Sequence, residues 1–125
     1  GVPKSLPALV KSSRIQDKAA SAGFDWDRQE QVFDKVQEEI LELKEAIASN
    51  NQTHIKDELG DVLFVCTNLA RHLKIDPEQA LIQANKKFEH RFRQVEANAK
   101  SEKPKVHKFD LDYLENLWQQ VKSEE

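Results

Sequence analysis

The chain is 125 residues long, 38% hydrophobic and 33% charged, with a formal net charge of −3. That length fits one domain with a modest core, and the acidic balance excludes the basic stripe that a nucleic acid polymer would require as partner. No apolar run approaches the roughly 20 residues that span a bilayer and no signal peptide is visible, so no membrane partner is expected.

The single cysteine, Cys66, rules out an intramolecular disulfide and suggests a reduced, cytoplasmic setting. Its place in the apolar run Val62-Leu63-Phe64-Val65-Cys66 predicts a core position. The chain has no methionine, so Gly1 is not an unprocessed start, and the sequence reads as a processed chain or a fragment of a longer one. Only 3 glycines and 4 prolines favour long helices.

Residues 1–7 are expected to be an extended lead-in, because Pro3 and Pro7 discourage helix before Ala8. Small and apolar residues predict a first helix from Ala8 to Ala22 that Gly23 ends. Asp27 with Glu30 reads as a capping box opening a second helix, along which Val32, Phe33, Val36, Ile40, Leu43 and Ile47 form one apolar stripe. Ser49-Asn50-Asn51 breaks it. A third helix, about Thr53 to Leu73, is apolar almost all round in its middle, which predicts a place at the centre of a bundle. Asp76-Pro77 starts a fourth helix running to about Ala99, with Leu81, Ala84, Phe88, Phe92 and Val95 as its stripe. After a basic connection containing Pro104, a short helix from about Leu111 to Lys122 carries Leu114, Leu117, Trp118 and Val121.

Two acidic segments stand out. In each of Glu39-Ile40-Leu41-Glu42 and Glu58-Leu59-Gly60-Asp61, residues three apart share a helix face, so each helix turns two carboxylates the same way. Such pairs are commonly a solvated face, and Glu38, Glu39, Glu42 and Glu45 alone would be read so. Glu39, however, borders the apolar stripe, and Asp61 abuts a run that should be buried, where an acid needs a partner. Four crowded carboxylates repel one another unless a cation sits among them, and hard oxygen ligands suit Mg²⁺ or Mn²⁺. Gly60 weakens a helix by about 1 kcal/mol relative to Ala, which suggests a close approach to the backbone there.

Other signals are weaker. Lys87 and Arg91 share a face of the fourth helix, either solvated or holding a phosphate tail. Trp118 reads as core or interface before base platform. The histidines lack ligand spacing for zinc, no Gly-rich phosphate loop is present, and Cys66 has no partner for nucleophilic catalysis.

Glu38-Glu39-Ile40-Leu41-Glu42, followed by Glu58-Leu59-Gly60-Asp61 and Val62-Leu63-Phe64, resembles the EExxE…ExxD pattern of the all-α nucleoside triphosphate pyrophosphohydrolases, specifically the MazG family. Leu6-Pro7-Ala8-Leu9, Gly23-Phe24-Asp25-Trp26, Asn68-Leu69-Ala70-Arg71, Ala84 to Phe88 with Arg91-Phe92-Arg93, and Trp118 to Lys122 extend the resemblance over nearly the whole chain. They are similar to the catalytic, C-terminal half of two-domain MazG proteins.

The resemblance implies Mg²⁺-dependent hydrolysis of nucleoside triphosphates to a monophosphate and pyrophosphate, with broad base specificity. It implies metal ligands at Glu39, Glu42, Glu58 and Asp61, with Glu38 or Glu39 orienting the attacking water. Nucleotide contacts would fall on Lys35, Lys87, Arg91 and Trp118, and also on Lys122; a basic position upstream of ExxD matches neither His54 nor Lys56 cleanly. The implied fold is an all-α bundle of about five helices, a single domain whose four-helix core is completed by homodimerisation. Two other readings stay open: a narrower dUTP- or dCTP-type pyrophosphatase, and a non-enzymatic helical dimerisation or regulatory domain.

Overall fold

The structure is a computed structural model that describes Val2 and Ser5–Glu125. Among these residues it is all helical, with α1 Ala8–Ser21, α2 Gln29–Ala48, α3 Gln52–His72, α4 Pro77–Glu102 and α5 Leu111–Ser123. No helix is long and apolar enough to cross a membrane. The chain forms two compact units, one ending at Ala80 and one running from Leu81 to Glu125.

Local chemistry sets the helix ends of the first unit. Pro7 is the N-cap of α1; Pro3 lies outside the described residues. Gly23, at φ +97°, closes α1 in a conformation that disfavours other residues, while the Phe24 N–H bonds back to the Ala19 carbonyl at 3.0 Å. The expected cap at Asp27 is displaced by one residue. Arg28 takes an extended backbone and its N–H is accepted by Gln31 Oε1 at 2.9 Å, so α2 starts at Gln29 and Asp27 stays in the preceding turn. Asn51 caps α3, its side chain accepting from the His54 N–H at 3.1 Å. Asp76 Oδ1 accepts from the Glu78 N–H at 2.9 Å ahead of α4, which continues past its expected end to Glu102.

Within the first unit α3 packs on both α2 and α1. The connection of residues 49–51 is too short for anything but a hairpin, so α2 and α3 lie antiparallel. Val32, Ala46 and Val65 are buried, and so are three polar residues, Gln16, Glu39 and Thr67. The α1–α3 contact is itself polar: Ser12 Oγ and Thr67 Oγ1 are 2.8 Å apart, and Gln16 Nε2 donates to Thr67 Oγ1 at 2.8 Å.

The apolar girdle of α3 is only partly covered. Val65 is buried, but Leu59, Leu63 and Phe64 are exposed, and Cys66 is exposed instead of lying in the core. The physical reason is that α1 and α2 cover two sides of a helix that is apolar on more than two. Among the described residues no side chain or backbone approaches Gly60 either: a Cβ there would meet nothing within 4 Å.

In the second unit the later half of α4 and all of α5 form a small core of Val95, Ala99, Leu117 and Val121. Phe92, Tyr113 and Trp118 pack around it, whereas Leu81 and Phe88, nearer the start of α4, are exposed. The Tyr113 hydroxyl donates to Glu102 Oε1 at 2.6 Å, tying α5 to the end of α4 and pushing the phenol up to about 12.

Because Gly60 sits exposed in mid-helix with open space around it, Gly60→Ala is expected to stabilise the protein by about 0.5–1 kcal/mol through helix propensity. Chemical denaturation measures this directly. A loss of stability would mean that another chain closes over that side of α3 in solution.

Candidate functional site

The hairpin brings Glu39 of α2 opposite Glu58 and Asp61 of α3, because these positions lie nearly equally far from the turn. One carboxylate oxygen from each falls within 4.8 Å of the others. The Glu39 and Glu58 side chains are only 10% and 13% exposed. Lys35, one turn before Glu39, places Nζ 3.1 Å from Glu39 Oε1 and 3.3 Å from Glu38 Oε1. His54 Nε2 lies 3.4 Å from Glu58 Oε1. Even so, Glu39 Oε2 and Glu58 Oε2 are buried with no hydrogen-bond partner among the described residues.

The electrostatics carry the mark of that crowding. Burial, and then repulsion from Asp57, Glu39 and Glu58, pushes the Asp61 carboxyl above its ordinary value. Glu42 stands outside the group of three, but a hydrogen bond to Glu39 and repulsion from it raise the Glu42 carboxyl too. Lys35 is held more firmly in its charged form by its bonds to Glu39 and Glu38. One ammonium does not neutralise this many acids. Two orphaned buried carboxylate oxygens and a donor set made of oxygen alone fit a hard divalent cation such as Mg²⁺ or Mn²⁺. Glu39, Glu58 and Asp61 form a group that could hold one.

Glu39, Asp61 and Lys35 also contribute to the wall of a cavity of about 610 Å³ in the first unit. Its other walls come from α1, α3 and the turn after α1, and include Gln16, Phe24, Trp26, Phe64 and Asn68. The turn is pinned by Asp25, which accepts from Arg71 Nη2, from His72 Nε2 at 2.9 Å and from the Trp26 backbone N–H at 2.8 Å. Burial opposes the charge on Asp25, but these donors outweigh it and bring the carboxyl down to about 2.

The remaining sequence-derived positions lie in the second unit. Arg91 is paired with Glu125 through Nε and Nη2 at 2.7 and 2.8 Å, and its guanidinium lies 5.9 Å from the Trp118 ring centre. Trp118 is half-buried against Phe88, with ring centres 5.3 Å apart. Lys87 and Lys122 are exposed. Sequence reasoning gave no role to Gln16, Asn68 or the Asp25–Arg71 pair. The available signal was the Ser12/Gln16 pair, polar residues four apart on a helix otherwise read through its apolar positions.

Metal-free protein is expected to gain stability from Asp61→Asn. A carboxyl raised above its unfolded value stabilises the fold fully only below that unfolded value and loses the contribution as pH rises through the raised one, so at neutral pH Asp61 is a burden. Thermal melts in EDTA should show a higher Tm for the variant. Added Mn²⁺ or Mg²⁺ should raise the wild-type Tm and leave the Tm of Glu58→Gln nearly unmoved.

Residues 28–96 match the family model described as the MazG nucleotide pyrophosphohydrolase domain. That range contains Lys35, the acidic cluster, Lys87 and Arg91, and leaves out Trp118 and Lys122. The chain is 44% identical over 128 residues to the nucleoside triphosphate pyrophosphohydrolase of Escherichia coli (strain K12), an alignment covering 99% of this chain and 48% of that protein. It is 38% identical over 117 residues to the nucleoside triphosphate pyrophosphohydrolase/pyrophosphatase MazG of Thermotoga maritima, covering 94% of this chain and 45% of the relative. It is also 41% identical over 125 residues to the uncharacterized protein YabN of Bacillus subtilis, of which it covers 26%. The chain thus spans about half the length, or less, of these relatives. With a family match over more than half its length, and with that family's acidic segments converging between α2 and α3, the chain belongs to the MazG family.

Proposed function

We propose that the protein is a Mg²⁺-dependent nucleoside triphosphate pyrophosphohydrolase with broad base specificity, acting in the cytoplasm. The observation that carries this reading is the convergence of Glu39, Glu58 and Asp61, two of them with orphaned buried oxygens, where Glu39 and Asp61 also line a cavity large enough for a nucleoside. Relatives named as nucleoside triphosphate pyrophosphohydrolases support it.

In the proposed reaction water attacks the α-phosphorus, the α–β phosphoanhydride bond breaks, and monophosphate, pyrophosphate and a proton are released. A bound divalent ion supplies charge neutralisation for the triphosphate and makes water more acidic. Glu39, Glu58 and Asp61 would hold the ion, with Glu42 as a further ligand. Glu38, exposed and paired with Lys35, orients the attacking water and accepts its proton, with Glu39 sharing the orienting role. Lys35 keeps its charge and exchanges its carboxylate contacts for phosphate oxygens when substrate enters. Lys87, Arg91, Trp118 and Lys122 retain the nucleotide-contacting role that the resemblance implies; for Arg91 this means that phosphate replaces Glu125 as its bidentate partner.

We assign the exposed apolar side chains of α2 and α3, among them Phe33, Ile40, Leu41, Leu59 and Leu63, to a homodimer interface that completes a four-helix core. Light scattering at micromolar concentration should give twice the chain mass, and a stable monomer would remove this assignment.

Incubation with each common NTP and dNTP should give monophosphate and pyrophosphate with Mg²⁺ and nothing with EDTA. Glu39→Ala and Asp61→Ala should each lower kcat by more than roughly 100-fold, beyond what loss of an outer partner of a metal produces, with helical circular dichroism unchanged. Retained turnover in either variant would refute the site. A folded wild-type protein inert towards all nucleotides would favour a regulatory domain.

A further inference from the structure

Arg91 of α4 already holds an anion that belongs to the chain itself. Its Nε and Nη2 donate to Glu125 Oε1 and Oε2 at 2.7 and 2.8 Å, a parallel, two-bond arrangement. A carboxylate seated this way takes the same two donors, in the same geometry, that a pair of phosphate oxygens would use. Both anions cannot hold the fork at once.

The surroundings are cationic. Lys87, four residues before Arg91 on the same helix, makes no ion pair among the described residues. The Arg91 hydrogen bonds, opposed by burial and assisted by the charges of Arg91, His90 and Lys87, hold the Glu125 carboxyl below its ordinary value. Of the two partners Glu125 is the more lightly held. Arg91 lies in mid-helix with its side chain 17% exposed and its guanidinium over the Trp118 ring. Glu125 follows the C-cap of α5, its N–H reaches the Lys122 carbonyl only at 3.4 Å, and its side chain is 41% exposed. A solvated residue tied by so few contacts opens and recloses readily.

We propose that Glu125 is an autoinhibitory latch, which occupies the Arg91 fork in the free protein and must swing out before a triphosphate binds there. The inference rests on the phosphate-contacting role of Arg91 in the function proposed above, and adds a regulatory element to it. No covalent bond changes in the exchange; one anion replaces another on two N–H donors. Apparent affinity for substrate is lowered by the fraction of protein in which the latch is open. Because a partly solvated carboxylate–guanidinium pair is weak, that fraction is substantial, and the latch slows binding without blocking it.

The test is Glu125→Gln, which keeps the size of the side chain and removes its charge. With Mg²⁺ present, KM should fall roughly 2- to 5-fold for every nucleotide that wild type hydrolyses, with kcat unchanged because the latch is open in the substrate complex. Glu124→Gln removes the same charge from the exposed neighbour and should leave KM at the wild-type value. A purely structural role for the pair predicts the opposite sign, since loosening α5 disturbs Trp118 and raises KM. An unchanged or higher KM in Glu125→Gln, or an equal fall in Glu124→Gln, would overturn the latch. Should wild type hydrolyse no nucleotide, the pyrophosphohydrolase reading fails separately, and calorimetry with inorganic tripolyphosphate decides the latch. Binding roughly 2- to 5-fold tighter in Glu125→Gln than in wild type sustains it, and equal, weaker or absent binding refutes it.

Discussion

Mutual repulsion among Glu39, Glu58 and Asp61 is the constraint to which the first unit is built. Packing α2 on α3 buries Val32, Ala46 and Val65, and the same packing pushes three acids together. The favourable and unfavourable terms are inseparable, because both follow from one register of one hairpin. Lys35 relieves part of the strain from α2 itself, and His54 stands near Glu58, but two buried oxygens remain unpaired. A dry, apolar version of this interface would be more stable. The three acids already converge, so they could hold a cation without large rearrangement.

A second polar system runs beside the first and organises the cavity. Gly23 ends α1 in a turn that only a residue without a side chain adopts easily, and Asp25 then fastens that turn to Arg71 and His72 at the end of α3. The depressed Asp25 carboxyl shows that donors outweigh desolvation here, the reverse of the balance at Asp61. Hence one cavity has a wall held together by compensated charge and another left uncompensated. The first behaves as scaffold, and the second is where ligand binding has free energy to gain.

Coverage of α3 marks the limit of reading burial from composition. An all-round apolar helix belongs at the centre of something, yet α1 and α2 reach only part of it, and Cys66, Leu59, Leu63 and Phe64 remain outside. Periodicity reports how much apolar surface a helix presents and is silent on whether the same chain supplies the cover. Gly60 is a parallel case: a glycine in mid-helix signals a close approach, but nothing among the described residues makes one.

Much was nonetheless legible in the residues. The 3.6-residue period of apolar positions, Gly23, the 49–51 break and Asp76-Pro77 define the helices to within a few residues, because helix propensity, capping and chain breaking are local effects. The three-residue spacing of Glu39/Glu42 and Glu58/Asp61 placed acids on common faces for the same reason. Only the tertiary structure decided that Glu39 joins Glu58 and Asp61 while Glu42 stands beside them, since this depends on how two helices are rotated against each other. It alone revealed the orientation of the Gln16 and Asn68 amides, which is set by the Phe64 carbonyl and by Arg71. An amide carries a donor and an acceptor on one carbon, and only its neighbours in space determine which of them it shows.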